Sequence, residues 1–167
     1  MANEPELVVR KAVPTDAQAV LKLLKILKTE STTFEDTSDE VDPATESEQI
    51  KLIGKSKQQL LLLAVLDGEV VGLVTVLPTK AKTIGEIGVA VRKRYWQRGI
   101  GRELMLSGLD WAALSSTYST ITLTVQLRNP RAVRLYQDIG FQTIQTLPVT
   151  ISTGEVVEAH EMQLSVK

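Results

Sequence analysis

The most constraining stretch of this chain is Val89-Ala90-Val91-Arg92-Lys93-Arg94-Tyr95-Trp96-Gln97-Arg98-Gly99-Ile100-Gly101-Arg102-Glu103-Leu104. A β-prone apolar run passes through a glycine-punctuated turn into helical spacing, so the order is strand, turn, helix N-terminus. The first turn of a helix leaves backbone N–H groups without intrahelical partners, and the helix dipole adds about half a positive charge there. Such a turn binds anions. Arg92, Lys93, Arg94, Arg98 and Arg102 add cations with no acid among them, and a pyrophosphate fits the site. Alone, Gly-x-Gly is weak evidence and reads first as a tight turn. Two common nucleotide motifs are excluded: the dinucleotide fingerprint needs a Gly where Leu104 stands, and a triphosphate loop needs Lys-Ser/Thr where Arg102-Glu103 follow Gly101.

The flanking patterns set this segment in a mixed chain. Leu7 to Val13 is β-prone, and after Pro14 the residues Ala17, Val20, Leu21, Leu24 and Leu27 recur at helical spacing. Thr15 and Gln18 form a capping-box signature at that helix start. Asp42-Pro43 supplies the N-cap and first turn of a second helix, which carries Ile50 and Ile53 and ends near Gly54. Leu60 to Leu66 and Val70 to Leu77 flank Asp67-Gly68, a strong hairpin signal. A strand at Ile84 to Val91, a helix from about Ile100 to Ser116 and a strand at Thr120 to Leu127 follow. Asn129-Pro130 opens a short helix ending near Gly140, and two last strands, Phe141 to Ile151 and Val156 to Val166, turn at Thr153-Gly154. The order β-α-α-β-β-β-α-β-α-β-β predicts an α/β fold, an α+β mixed sandwich, with residues 1–167 forming one domain.

What is missing narrows the chemistry. The chain has no Cys, and His160 is its only His, so thiol nucleophiles, thiolate metal sites and a His-rich zinc centre are excluded and no metal is expected. An enzyme built here works with carboxylates, hydroxyls, amides and a bound cosubstrate. Nineteen Lys and Arg against 20 Asp and Glu argue against a non-specific nucleic-acid binder. No apolar run is long enough to span a bilayer, and MANEPELVVR lacks the basic and apolar regions of an export signal, so the expected location is cytoplasmic, away from membranes.

A second block, Leu123-Thr124-Val125-Gln126-Leu127-Arg128-Asn129-Pro130-Arg131-Ala132-Val133-Arg134-Leu135-Tyr136-Gln137-Asp138-Ile139-Gly140-Phe141, stands downstream of the glycine turn. Together the two segments resemble the GNAT superfamily of N-acetyltransferases. Arg98-Gly99-Ile100-Gly101 matches the glycine part of the family's Arg/Gln-x-x-Gly-x-Gly/Ala signature, and the downstream block is similar to its Leu-x-Val…Asn-x-x-Ala-x-x-Leu-Tyr…Gly-Phe pattern. The family's Arg/Gln position holds Trp96, with Gln97 one residue later. Two motifs in the right order on the right elements are far more specific than either alone.

The resemblance implies a GNAT-like fold and direct acetyl transfer from acetyl-CoA to an amine, with no covalent acetyl-enzyme. It implies that the amides of Gln97, Arg98, Gly99, Ile100, Gly101 and Arg102 cradle the pyrophosphate. The strand backbone at Val89, Ala90 and Val91 would pair with the pantetheine arm, Asn129 and Arg131 would approach the cofactor, and Tyr136 would be the general acid at the thioester sulfur. Read without the family, Tyr136 is a packing residue, Asn129 a helix cap and Arg131 a solvated surface cation. Glu86 ends the small-residue face it shares with Gly88 and Ala90, opposite Ile87, Val89 and Val91. It is the candidate general base, or else a strand-edge carboxylate in solvent; His160 is a second candidate.

Glu30 to Glu48 holds eight acids and no Lys or Arg. In the family this variable region meets the acceptor, so it would attract a cationic amine such as a polyamine, a lysine or an N-terminal amine. The same residues also read as a solvated acidic loop. Three readings stay open: an acetyl-CoA-dependent N-acetyltransferase, a non-catalytic acyl-CoA-binding or sensing module, and a transferase with a longer acyl donor or an oxygen acceptor. Both monomer and homodimer are compatible with the exposed C-terminal strand pair.

Overall fold

A computed structural model describes residues 6–30 and 41–167. The elements follow the expected order: β1 (Leu7–Lys11), α1 (Ala17–Glu30), α2 (Pro43–Gly54), β2 (Leu60–Leu66), β3 (Glu69–Pro78), β4 (Ile84–Val91), α3 (Ile100–Ser115), β5 (Thr120–Gln126), α4 (Pro130–Ile139), β6 (Gln142–Thr150) and β7 (Val156–Ser165). The seven strands form one sheet in the order β1-β2-β3-β4-β5-β7-β6. Phe34, Glu35, Asp36, Asp39 and Glu40, all in the acidic block, lie outside the described residues. No described helix is long and apolar enough to cross a membrane.

The sheet is covered on both faces, which is why β2 reads as an unbroken apolar run. Leu60, Leu62 and Ala64 pack with α3 residues Leu104, Met105 and Leu109, whereas Leu61 and Leu63 pack with α1 residues Val20, Leu23 and Leu27. The β2–β3 hairpin turns on Asp67 and Gly68, both left-handed at φ +49° and +81°, as a type I′ turn requires. A bulge follows at once: Val65 pairs with Val70 and Ala64 with Gly72, leaving Val71 as the extra residue.

Element ends differ from expectation by one or two residues, and one helix start is built differently. β1 stops at Lys11 and β6 starts at Gln142, each within two residues of the predicted end. The start of α1 is not held by Thr15 and Gln18. Instead a short 3-10 turn over Pro14–Asp16 precedes it, and the Asp16 carboxylate accepts the Val13 N–H at 2.8 Å. The same carboxylate receives the Arg10 guanidinium through two bonds of 2.8 and 2.9 Å. Arg10 holds the Asp16 carboxyl below its ordinary range despite burial. At α2, Asp42 caps as expected, its Oδ1 accepting the Thr45 N–H at 2.8 Å.

Candidate active site

Strands β4 and β5 are the parallel pair of the sheet, and they stay together for only three residue pairs: Ile84 with Thr120, Gly85 with Ile121 and Glu86 with Thr122. β4 remains paired with β3 as far as Val91, and β5 with β7 as far as Gln126. The two strands therefore splay beyond Glu86, and a cleft opens between them. The Arg92 N–H donates across β3 to the Val71 carbonyl at 2.8 Å. Backbone groups alternate along a strand, so Gly88 and Ala90 also turn theirs to β3, while Ile87, Val89 and Val91 turn theirs to the cleft. That open edge can pair with an extended chain of amides.

The open edge leads to the N-terminus of α3. Glu103 N–H bonds to the Gly99 carbonyl at 3.1 Å, so the N–H groups of the preceding turn have no helical acceptor. Gly99 is left-handed at φ +79°, and so is Gln97 at φ +65°. Ile100 buries its side chain in the core, which leaves only its amide for a ligand. A Cβ on Gly101 would lie 3.8 Å from Leu135, in ordinary contact.

The basic residues of this turn are not equivalent. Arg92 NH1 bonds to Glu69 at 2.8 Å, and its Nε lies 3.9 Å from Glu30, so this arginine is tied to the hairpin and to α1. Glu30 also accepts the Lys93 N–H at 3.2 Å. Arg92, Arg94 and Arg98 surround the Tyr95 ring at 6.0, 5.2 and 5.4 Å from its centroid. Of the five cations, Lys93 and Arg102 line the cleft. Trp96 donates its indole N–H to the Val91 carbonyl at 2.7 Å. Its ring carries the Arg131 guanidinium 5.8 Å from the centroid, and that guanidinium bonds at 2.6 Å to the Gln97 amide, oriented with its oxygen inward. These contacts join the turn to α4.

α4 starts where Asn129 accepts the Ala132 N–H at 3.3 Å, with Pro130 in the first helical position. Nearly two turns further on, Tyr136 stands half-buried on the cleft wall, edge-to-face with Phe141 at 6.1 Å. Burial disfavours the phenolate, and its pKa is pushed up to about 12. Asn129 and Arg131 also line the cleft, and Arg134 does not. Glu86 lies exposed at the bottom of the splay. His160 is on β7, its Nδ1 2.8 Å from the Thr146 hydroxyl, and does not line the cleft.

Sequence reasoning passed over several groups on the other wall. The Thr75 hydroxyl lies 3.6 Å from where a Gly88 Cβ would stand, beside Glu86 on the α1–α2 face. Thr124, Gln126 and Thr150 line the same cleft. Of the described acids in the block from Glu30 to Glu48, Glu30 and Glu46 line it and Asp42 serves as a cap. α1 adds Lys22, Lys25 and Lys28, so the described part of this cleft wall is of mixed charge. Alternation along β5 was the available signal for Thr124 and Gln126.

Comparison with known proteins bears directly on this geometry. The model of the acetyltransferase (GNAT) family matches residues 22–141. The N-alpha-acetyltransferase of Sulfurisphaera tokodaii is 28% identical over 114 residues, which cover 60% of this chain and 67% of that protein. The L-amino acid N-acetyltransferase AaaT of Escherichia coli is 29% identical over 105 residues, covering 60% of this chain and 65% of that one. The chain thus spans about two thirds of the length of these curated relatives. A GNAT-family acetyltransferase structure from Streptococcus pneumoniae gives a TM-score of 0.84 at 27% identity, covering 96% of this chain and 99% of that one. The fold is also that of yncA from Salmonella typhimurium, solved with its cofactor acetyl-CoA, at a TM-score of 0.83, 18% identity and coverage of 97% and 95%. With a family match that takes in the splayed strands, the β4–α3 turn and the helix bearing Tyr136, the chain belongs to the GNAT family of acetyltransferases.

Proposed function

We propose that this protein transfers an acetyl group from acetyl-CoA directly to a primary amine, either a small amine, a polyamine or a peptide amine. The observation that carries the reading is the splay beyond Glu86, with the free N–H groups of α3 at one end and Tyr136 on its wall. The relatives named above as N-acetyltransferases support the same chemistry.

The residues present fit the cosubstrate. The amides from Gln97 to Arg102 and the α3 dipole suit a pyrophosphate, and Arg102 and Arg131 add charge beside it. The open edge of Ile87, Val89 and Val91 suits the two amides of a pantetheine arm. Ala90 serves there through its small side chain, because its backbone is turned to β3. Asn129 fixes where α4 begins and so where Tyr136 stands.

When bound, acetyl-CoA supplies a thioester whose C–S bond breaks as a C–N bond forms to the amine. Glu86 takes the ammonium proton, directly or through water. Tyr136 remains protonated at neutral pH and directs its O–H at the departing sulfur. The pocket that disfavours a phenolate also disfavours a free thiolate, so the departing sulfur leaves more readily with a proton than without one. A backbone N–H on the open edge of β4 polarises the carbonyl. Neither Cys nor a His nucleophile is needed.

The test is thiol release from acetyl-CoA across a panel of amines, with product mass identifying the modified nitrogen. Thiol and acetylated amine should appear in equal amounts. Tight acetyl-CoA binding with no release for any amine would instead leave a non-catalytic acyl-CoA-binding module.

A further inference from the structure

The last residue of β5, Gln126, is 8% exposed and lines the cleft. Along β5 the side chains of Leu123 and Val125 enter the core under α3, so Thr122, Thr124 and Gln126 face the opposite side, shared with Glu86 and Thr75. A chain of two bonds orients its amide. Glu155, in the β6–β7 turn, accepts from Arg128 NH1 at 2.9 Å, and Arg128 Nε donates to Gln126 Oε1 at 2.6 Å. The carbonyl end is therefore occupied and the NH2 end must point the other way. That NH2 has no partner among the described residues, yet it is not sealed from solvent. A side chain so deeply buried, held in one orientation and left with free donors, is built to meet an oxygen.

The position of that oxygen limits the ligand. Thr122 is level with Glu86, and Gln126 is four residues further along β5, about 13 Å at ~3.3 Å per residue. A single amine-bearing unit held at Glu86 does not reach across that span. The first residues of an extended peptide do, and they carry carbonyl oxygens along the way. The pyrophosphate turn leads into α3 on one face of the sheet, whereas Gln126 is on the opposite face, the one that carries α1 and α2.

We propose that Gln126 is a specificity-determining residue whose NH2 donates to a backbone carbonyl of the acceptor, making the acceptor the N-terminal end of a peptide chain. This rests on the transferase reading given above. Arg128 is its positioning residue, and Glu155 holds Arg128.

The experiment compares the full chain and Gln126→Leu with three acceptor classes: tripeptide amides of varied first residue, the matching amino acid amides, and alkylamines without a carbonyl. The wild type should favour tripeptide amides over alkylamines by about tenfold or more in kcat/KM. Gln126→Leu should lose about tenfold to a hundredfold on tripeptides and stay within about twofold on alkylamines, with KM for acetyl-CoA unchanged. Gln126→Glu, which keeps the size but replaces donors with acceptors, should lose at least as much. Equal use of alkylamines and tripeptides by the wild type would overturn the proposal, as would a uniform loss in both variants or a rise confined to KM for acetyl-CoA. Amino acid amides used as well as tripeptides would overturn the peptide assignment. In each of these results thiol is still released, which separates them from failure of the transferase reading, where no amine releases any.

Discussion

The indole N–H of Trp96 donates to the carbonyl of Val91 at 2.7 Å, so the residue at the family's Arg/Gln position fastens the β4–α3 turn back onto the end of β4. The same ring is the platform for Arg131 of α4. Trp96→Phe keeps an aromatic platform and deletes the bond. A net hydrogen bond contributes about 1 kcal/mol, so KM for acetyl-CoA should rise about fivefold with kcat little changed. Trp96→Ala removes both contacts and should raise KM further. Steady-state kinetics in varied acetyl-CoA measure this, and an unchanged KM in both variants would refute a fastening role.

The two glycines of the turn should respond differently to the same substitution. Gly99 is left-handed at φ +79°, where a Cβ costs about 1–2 kcal/mol. Gly101 is not left-handed, and an added methyl there meets Leu135 only at 3.8 Å. Gly99→Ala should therefore lower Tm by about 2–8 °C, given about 2–4 °C per kcal/mol for a protein of this size. Gly101→Ala should leave Tm within about 1 °C. Thermal denaturation of the two variants side by side decides it.

Much of this architecture is local and could be read from the chain. Asp67-Gly68 specifies its own turn, Asn129-Pro130 its own helix start, and Arg98-Gly99-Ile100-Gly101 the start of α3, because each acts over a few residues. What escaped the reading is set by contacts between distant segments. Nothing in Arg92-Lys93-Arg94 says that Glu69 and Glu30 will take up the first arginine, since those acids lie 23 and 62 residues before it. The Gln126 amide looks like any polar strand residue until Arg128 and Glu155 orient it. The lysines of α1 likewise join the cleft wall only through the packing of α1 on β3.

Asp16 carries a stability that should depend on acid. Its carboxyl is held below the ordinary range by the Arg10 guanidinium, with a further contribution from the Val13 N–H. A depressed carboxylate stabilises the fold above its unfolded value, about pH 4, and the contribution disappears as pH falls through the lower folded value. Arg10 is 41% exposed, and solvent screening weakens the pair accordingly. Asp16→Asn should therefore cost about 1–2 kcal/mol at pH 7. The gap from wild type should narrow as the pH is lowered below about 4. Urea denaturation at pH 7 and pH 3 reads both numbers, and a constant gap would show that charge is not the cause.

Tyr136 offers the sharpest test of the chemistry. Its phenol is on the cleft wall with a pKa pushed up to about 12 by burial, so it holds its proton throughout the working range. Tyr136→Phe preserves the ring and its edge-to-face contact with Phe141 while removing the hydroxyl. General acid catalysis contributes about 10²–10⁴-fold, so kcat should fall by about that factor. Binding of acetyl-CoA, measured by calorimetry, should stay within about twofold. The pH profile carries a second check. Because the phenol ionises only near pH 12, wild-type kcat should show no alkaline loss from this group below about pH 11, and the residual activity of Tyr136→Phe should follow the same alkaline profile at a lower level. The raised pKa also means that the neutral phenol favours the fold, a contribution present below the unfolded value of about 10 and lost as pH climbs through 12. Wild-type stability should therefore drop more steeply than that of Tyr136→Phe between those two values. Turnover by Tyr136→Phe equal to wild type at every pH would remove Tyr136 from the reaction and leave it as a packing residue against Phe141.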